Sequence, residues 1–503
     1  MSKTNISTAL ADSANFKQLI NALQAEEKGV APKFKLDNLV GSAVSFYMAE
    51  CFKKLDQPFL LIFDDKEEAA YHLNDLEQLL GDEQVLFYPG SYRRPYQIEE
   101  TDNANVLLRA EVLNRINSRK KPSVIVTYPE ALFEQVVTKA ELNKSILKLK
   151  LEDQLSIDFV NEVLFEYKFK RVDFVTEPGE FSVRGGIIDV FSFSHDEPYR
   201  IEFFGDEVES IRSFDIETQL STERHKKVSI MPNVENKALD EKRQSFIEYI
   251  SNHSLIILKS PDLLAKQLDL LFEKAQTAFE QLSKQVKHAQ PAELFCNAEL
   301  IMQQLEAYRL IQLNGQAYFP ATTHLNFDTK PQPAFNKKFD LLVENLKEYN
   351  NAGFTNYICC ATEQQAKRFK DILSEIDDNL SYQTSVLPLH QGFVDVNAKI
   401  LCYTDHQVFD RYHKFHLKNG YAKKQAITLK ELTSLEVGDY VTHIDHGIGQ
   451  FGGLQKIDVE GQKQEAIKLV YGDRDVLYLS IHSLHKISKY NGKDGKAPKV
   501  YKL

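Results

Sequence analysis

The chain has 503 residues, of which 43% are hydrophobic and 26% charged, and its formal net charge is −11. This length is too great for one hydrophobic core and predicts roughly three to five domains of an ordinary globular protein. The negative charge argues against a wide grip on a nucleic acid backbone, because such binding depends on Lys and Arg.

No apolar run is long enough to cross a membrane, and residues 1–20 lack the basic start and apolar block of a signal peptide. These features predict a cytoplasmic protein that does not bind membranes.

The first part of the chain alternates between strand and helix patterns, which is typical of an α/β domain with a parallel sheet. Apolar runs and helical periodicity predict a helix that ends near residue 27, strands at 58–63, 84–88 and 123–127, and helices at 66–80 and 105–116.

A segment that resembles a phosphate-binding loop precedes a helix in this first domain. A working loop needs flexible glycines, so that backbone N–H groups face the phosphates, and a lysine that reaches them. The segment keeps Gly41, Ser42 and Ser45, but Asn38 occupies the first glycine position and Val44 stands where the lysine belongs. We therefore predict a degenerate P-loop that binds no ATP.

Residues 167–215 are the most informative part of the chain. Alternating apolar and polar residues predict a series of paired strands, at 180–184, 187–191, 199–204 and 207–214. The run contains Arg-x-Asp, then Gly-x-Phe-x-x-Arg-Gly, then Arg-Ile-Glu-Phe-Phe-Gly-Asp-Glu. Such an order of residues is far more specific than a single short motif.

These motifs resemble the family of bacterial nucleotide excision repair proteins that contains the helicase UvrB and the coupling factor Mfd. In that family this small domain docks on UvrA, and the resemblance implies that Arg171, Phe181 and Arg184 carry the docking here. Arginines beside an exposed aromatic side chain are typical of an interface anchor. The alternative is that both arginines pair with nearby carboxylates, such as those of Asp173, Glu180 and Glu202.

Mixed helices follow, and the resemblance implies that they complete the first domain. Residues 330–334 contain two prolines and are predicted to form a linker. A second α/β unit follows, with helices starting at 339 and 363 and strands at 355–360 and 399–404. We assign it no chemistry, and His406 beside Asp405 is predicted to be structural.

Residues 437–487 predict four or five short strands joined by Gly and Asp turns, a small β-barrel. Residues 447–452 fit the pattern GxGxxG, but a strand follows them instead of a helix, so no dinucleotide site is predicted. Several histidines in this segment are compatible with zinc, yet the segment has no cysteine and its histidines have turn-like neighbours. We predict no metal site.

The run Gly-Asp-x-Val-x-His-x-x-His-Gly-Ile-Gly in this segment resembles the RNA polymerase-interacting domain shared by CarD-like regulators and coupling factors. The resemblance implies binding to the polymerase β subunit, partly through an exposed strand. The strand at 464–471 is the candidate, and its predicted contact residues are Glu465, Ala466, Ile467, Lys468 and Leu469. The alternative is a plain barrel strand whose outer face meets solvent.

The predicted fold is therefore α/β and multidomain. It comprises a degenerate UvrB-like domain in two parts (1–138 and 218–329), an inserted UvrA-binding β-module (139–217), a small α/β spacer (335–430) and a barrel like those of Tudor, SH3 and CarD-like domains (433–495). The family continues into a motor that uses ATP and Mg²⁺ to translocate on DNA, but no GxxxxGK[ST] occurs in these residues. The chain is thus expected to be a fragment that lacks enzymatic activity and needs no cofactor.

In this interpretation the chain is an adaptor of transcription-coupled repair that binds stalled RNA polymerase and recruits UvrA. DNA would be bound mainly through the absent motor. A competing interpretation is a CarD-like transcription regulator whose UvrB-like region is vestigial. An active helicase is disfavoured by Val44 and by the lack of a second motor half.

Overall fold

The computed structural model describes most of the chain, namely residues 2–25, 31–91, 96, 103–118, 121–195, 197–216, 218–233, 242–282, 289–411, 435, 437–443, 446–459, 462–472, 475–480 and 487–489. It divides into two compact units, one of residues 1–141 and 235–417 and the other of residues 142–234 and 418–503. Within the described ranges, no helix has the length and apolarity needed to span a bilayer.

The first segment alternates helices and strands as predicted. Its elements are α1 (Ser2–Asp12), α2 (Ala14–Gln24), β1 (Lys33–Asp37), α3 (Ala43–Leu55), β2 (Phe59–Ile62), α4 (Lys66–Leu80), β3 (Val85–Tyr88), α5 (Asn103–Ser118), β4 (Val124–Thr127), α6 (Pro129–Phe133), β5 (Val136–Val137) and α7 (Lys139–Lys144). The sequence patterns miss β1, because two lysines interrupt its apolar residues. Both are buried: Lys33 Nζ donates to the carbonyl of Tyr308 over 2.7 Å, and Lys35 pairs with Asp37.

The next segment forms a β-rich module. Its elements are β6 (Leu147–Lys150), α8 (Ile157–Glu166), β7 (Lys170–Arg171), β8 (Glu180–Arg184), β9 (Ile187–Val190), β10 (Tyr199–Phe204), β11 (Glu207–Phe214), β12 (Ser221–Arg224) and β13 (Lys227–Ile230). Six strands form one sheet in the order β12-β11-β10-β9-β8-β7. The hairpin between β10 and β11 turns at Gly205, whose φ of 62° lies in the left-handed region that favours glycine.

The chain then returns to the first sheet. The elements are β14 (Arg243–Gln244), α9 (Phe246–Tyr249), β15 (Leu255–Leu258), α10 (Pro261–Glu280), α11 (Pro291–Leu294), α12 (Ala298–Leu305), β16 (Arg309–Leu313) and β17 (Thr323–Asn326). Seven strands pair in parallel in the order β17-β1-β16-β15-β2-β4-β3. Strands β2, β3, β4 and β15 are buried along their whole length, as expected of a parallel sheet that is covered on both faces.

A smaller α/β region follows, here called the spacer. Its elements are β18 (Thr329–Pro331), α13 (Phe339–Asn351), β19 (Thr355–Cys360), α14 (Glu363–Ile376), β20 (Gln383–Val386), β21 (Phe393–Asp395), β22 (Ile400–Thr404) and α15 (Asp405–Val408). The sheet order is β18-β21-β22-β19-β20. The predicted linker at 330–334 is partly wrong, because Lys330 and Pro331 belong to β18. An edge strand tolerates proline, since one of its sides forms no ladder.

The last region is a five-stranded antiparallel sheet, here called the C-terminal sheet. Its strands are β23 (Tyr440–His443), β24 (Gly447–Val459), β25 (Gln462–Val470), β26 (Val476–Ser480) and β27 (Ile487–Lys489). They pair in the order β26-β25-β24-β23-β27. The glycine-rich run at 447–452 is itself the first part of β24, which continues through the strand predicted to follow it, and closure of the sheet into a barrel stays a prediction.

Candidate functional site

Arg171 and Arg184, here called the arginine surface, lie on neighbouring strands of the β-module. Strand β7 pairs in parallel with β8, so that Arg171 lies opposite Phe181. Arg171 is exposed and forms no salt bridge with any residue that the structure describes. Its charge is therefore available to an external carboxylate.

Arg184 is held by a buried carboxylate. Its guanidinium pairs with Asp189 on β9, which is fully buried, while the Arg184 side chain keeps 45% of its exposure. Asp189 also accepts two hydrogen bonds from Arg200 on β10, of 2.7 Å from Nε and 2.9 Å from Nη2. One buried carboxylate thus orients two arginines, and a bidentate arginine pair is stronger and more directional than a single bond.

The alternative that the arginines pair with nearby carboxylates holds for Arg184, although its partner is none of the three carboxylates given as examples. Glu202 pairs with Arg212 at 2.6 Å, and Glu180 accepts from the backbone N–H of Thr176 at 3.0 Å. The partner of Arg184 is Asp189, which the sequence patterns missed. The pairing could have been predicted from the single carboxylate in the apolar run 187–191, because a buried charge requires a partner.

The expectation that Phe181 is an exposed aromatic side chain is wrong. Phe181 has no exposed surface, because it fills the space between the sheet and α8. The exposed aromatic is its neighbour Phe165, which is 50% exposed and packs edge-on against it with ring centroids 5.1 Å apart. Phe159, also on α8, is 44% exposed. Helix α8 therefore packs on the Phe181 face of the sheet, whereas Arg184, three positions along β8, points to the other face.

Phe174 is a second aromatic beside the arginine surface. The Arg184 guanidinium carbon lies 5.5 Å from the centroid of its ring, within the range of a cation–π contact. Phe174 is also packed against the core of the C-terminal sheet. Both interactions lie within one compact unit.

The segment predicted as a degenerate P-loop follows β1 and leads into α3. Its backbone N–H groups are used within the chain: Ser42 N donates to the carbonyl of Gln391 at 3.2 Å, and Val40 N donates to Thr329 Oγ1 at 3.0 Å. Gln391 N returns a bond to Ser42 Oγ at 3.2 Å. A loop from the spacer thus occupies Ser42 N, and β18 of the spacer occupies Val40 N.

The rest of this segment is equally committed to packing. Val44, which stands in the lysine position, is 6% exposed. A Cβ atom added at Gly41 would lie 3.2 Å from the carbonyl oxygen of Gly392. Tyr47 on α3 donates to the buried Asp395 of the spacer over 2.6 Å. Through these contacts the spacer packs against the first domain at the segment predicted as a degenerate P-loop.

A cluster of polar side chains lies beneath this contact. Ser45 Oγ is hydrogen-bonded to His72 Nδ1 at 2.8 Å, and Asp75 Oδ2 to His390 Nδ1 at 2.6 Å. Ser42 Oγ lies 3.1 Å from the same His390 nitrogen. Because serine and aspartate meet one nitrogen, the cluster lacks the relay of a hydrolytic triad, in which they meet opposite nitrogens of the ring.

The two buried members of this cluster, His72 and Asp75, differ in charge. Burial lowers the pKa of His72 well below its ordinary value, and the neighbouring His390 lowers it further, so His72 is neutral. For Asp75, burial raises the pKa, but the charge and hydrogen bond of His390 outweigh burial and leave the pKa below its ordinary value. A neutral imidazole therefore lies beside an ionised carboxylate.

The predicted polymerase-binding strand β25 is not at the edge of its sheet. It pairs with β24 on one side and β26 on the other. Ile467 and Leu469 have no exposed surface and belong to the core of the sheet, and Ala466 is 1% exposed. Lys468 is half-buried, and the side chain of Glu465 lies outside the described residues. The expectation of an exposed strand edge at β25 is therefore wrong.

Among the residues that the structure describes, β26 is the outermost strand on this side of the sheet. Val476 and Tyr478 on β26 are 39% and 45% exposed. Tyr478 lies opposite Lys468 in the strand register, and its hydroxyl donates to Gln455 Oε1 over 3.3 Å. An apolar edge strand with unused backbone groups is a template for an added strand. Pattern analysis missed it because strand order is not visible in one sequence.

Two family models match parts of the chain. A UvrB interaction domain matches residues 147–235, and a CarD-like/TRCF RID domain matches residues 435–491. The first match covers the strands of the arginine surface, and the second covers the C-terminal sheet. A UvrB-like and a CarD-like domain are therefore both present.

Curated relatives extend this similarity along the chain. The transcription-repair-coupling factor of Bacillus subtilis is 25% identical over 99% of this chain and 48% of the relative. Those of Rickettsia typhi and Myxococcus xanthus are 25% and 24% identical over 91% and 97% of this chain, and 46% and 48% of the relatives. The chain spans about half the length of these proteins. The matches support the interpretation of the chain as similar to the N-terminal part of a coupling factor.

Proposed function

We propose that this chain is an adaptor of transcription-coupled nucleotide excision repair, with one surface for UvrA and another for RNA polymerase. The observation that carries the proposal is the presence of both matched domains in a chain that is similar to coupling factors over 91–99% of its length. This extent favours the adaptor over a stand-alone CarD-like regulator, which would not need the UvrB-like region.

The arginine surface is the proposed UvrA contact. Arg171 is exposed, and Arg184 is both exposed and oriented by a buried carboxylate. An oriented arginine loses less side-chain entropy on binding than a free one, because its position is already restricted. Phe181 then acts from inside the module, by packing against Phe165 of α8.

We expect Arg184→Ala to weaken binding to UvrA by about tenfold, the typical loss for an arginine at the centre of an interface. The measurement is a titration of purified UvrA against the chain by biolayer interferometry. Arg212→Ala is the matched control, because Arg212 lies in the same sheet and is paired with Glu202. Equal losses for the two variants would contradict the proposed surface.

The proposed polymerase contact is the outer side of β25 together with the edge of β26. Lys468 and Tyr478 face the same side of two paired strands, and Tyr478 is 45% exposed. Within the predicted set 465–469, the buried Ile467 and Leu469 hold the strand in place and are not contacts. The partner is proposed to be the β subunit of RNA polymerase, which would add a strand to this edge.

We expect Tyr478→Asp to reduce the retention of RNA polymerase by about tenfold, since it places a charge in an apolar contact. The measurement is co-purification of core polymerase with the tagged chain. Val437→Ser is the control, because Val437 is 76% exposed but precedes β23, on the far side of the sheet order from β26. Undiminished retention by Tyr478→Asp would exclude this edge.

The finer features of the fold belong to the same proposal. They are the division at 1–138, 139–217, 218–329, 335–430 and 433–495, the closed barrel, and a P-loop that binds no ATP. The use of Ser42 N by Gln391 supports the last of these, because a phosphate would have to displace the spacer. ATP-driven movement on DNA and the Mg²⁺ it needs are attributed to a motor that these 503 residues do not contain.

A further inference from the structure

His72, Asp75 and His390 form a group that neither proposed binding surface uses. His72 and Asp75 are three residues apart on α4 and so share one helix face, and His390 lies on the loop between β20 and β21. Each side chain offers one ligand atom, and these atoms all lie within 4.8 Å of one another. Asp75 has no exposed surface, His72 is 4% exposed and the His390 side chain is 10% exposed.

The geometry points to a zinc site made by these three side chains. Two imidazoles and one carboxylate are a common protein ligand set for Zn²⁺, with a water as the fourth ligand. Tetrahedral coordination requires donor atoms about 3.3 Å apart, so the most distant pair must approach by up to about 1.5 Å, whereas Asp75 Oδ2 and His390 Nδ1, which are 2.6 Å apart, must separate by roughly 0.7 Å. One of them is on a loop, which allows this movement without distortion of α4.

The surroundings of the group are arranged as a metal site requires. Ser45 Oγ is bonded to Nδ1 of His72 at 2.8 Å, which leaves Nε2 as the nitrogen that can bind a metal. Such outer contacts orient the ligand and fix its tautomer.

Two features of the group disfavour a bound cation: the hydrogen bond between His390 and Asp75, and the positive charge of Lys259. His390 Nδ1 and Asp75 Oδ2 are hydrogen-bonded to each other at 2.6 Å, and Zn²⁺ would take the place of this bond. Lys259 lines the same cleft as His390, but Asp64 and Glu68 pair with Lys259 and offset its charge. His390 also lines a cleft of about 530 Å³, from which the fourth ligand can come.

A metal at this position would join α4 to the spacer loop at 390–392. In the same loop, Gln391 accepts a hydrogen bond from Ser42 N of the predicted P-loop and donates one to Ser42 Oγ. Zn²⁺ would therefore stabilise the docked spacer, and this role is independent of either protein partner.

The test is titration of the chelator-treated full chain with Zn²⁺ and with Co²⁺, whose visible absorption reports tetrahedral coordination. We expect one equivalent to bind, with a rise in melting temperature. His390→Gln should weaken binding by at least about tenfold, since even outer contacts of a metal site are worth that much. His253→Gln, an exposed histidine in the same compact unit, should bind as the parent does.

A second variant separates loss of a ligand from loss of the fold. Ser45→Ala keeps all three ligands but removes the bond that orients His72, and it should weaken Co²⁺ binding while circular dichroism stays unchanged. The proposal is overturned if the parent binds no equivalent of either metal. It is also overturned if His390→Gln, folded by circular dichroism, binds Zn²⁺ as tightly as the parent, because the metal would then lie elsewhere.

Discussion

Replacing Asp189 with alanine is expected to lower the free energy of opening of the β-module by about 3–5 kcal/mol. Asp189 is fully buried and pairs with two arginines, of which Arg200 is only 17% exposed. Removing the carboxylate leaves the Arg200 guanidinium largely desolvated without its partner, and this cost exceeds the net value of the ion pair itself. The measurement is amide hydrogen exchange in β9 and β10, which reports local opening free energies.

The matched control is Glu202→Ala. It removes the Arg212–Glu202 pair on the same sheet, whose side chains are 28% and 36% exposed, and should cost less than about 1 kcal/mol. Asp189→Ala should also weaken UvrA binding at least as much as Arg184→Ala does, because it releases the orientation of Arg184. Exchange rates that are similar in the two variants would mean that Asp189 does not organise the arginine surface.

Gly392→Ala is expected to displace the spacer loop from the predicted P-loop. The substitution should destabilise the docked arrangement of the two loops by about 1–3 kcal/mol. A Cβ atom at this position would overlap Gln332 Oε1 and lie 2.9 Å from the carbonyl oxygen of Cys402. Gln332 has little freedom to move, because its Oε1 accepts from Thr404 N at 2.8 Å. The strain should therefore pass to the loop and break the bonds between Ser42 and Gln391.

Hydrogen exchange at Ser42 and Gln391 measures this displacement directly. Gly90→Ala is the control: the nearest atom to its added Cβ is 3.4 Å away, and its backbone conformation is open to alanine. Protection at Ser42 that survives in Gly392→Ala would show that the loop accommodates the methyl group in place.

The fold was most predictable where local periodicity and burial agree. The helix at 66–80 and the strands at 180–184, 199–204 and 207–214 have the predicted bounds, and the helices of the spacer start at residues 339 and 363 as predicted. Strand β1 was not predicted, because lysines such as Lys33 and Lys35 are usually exposed. In the structure both are buried, and a carbonyl and a carboxylate near the strand pair with them. Here tertiary partners outweigh the intrinsic polarity of the residue.

The candidate sites were less predictable, since they depend on contacts between distant segments. Asp75 and His390 are 315 positions apart, and Ser42 and Gln391 are 349 apart, so no local pattern links them. The same limit explains the errors at Phe181 and β25. Alternation shows which residues share a face, but it does not show which face is covered or which strand lies at an edge.

The strand order of the large parallel sheet has a consequence for synthesis of the chain. Strand β2 lies between β4 and β15, so one of its sides stays unpaired until residues 255–258 have left the ribosome. At about 5–20 residues per second, the ribosome needs roughly 10–40 s to synthesise the intervening chain. The β-module is made during this interval and can fold first, while the nascent apolar strands depend on chaperones or on partial collapse to avoid aggregation.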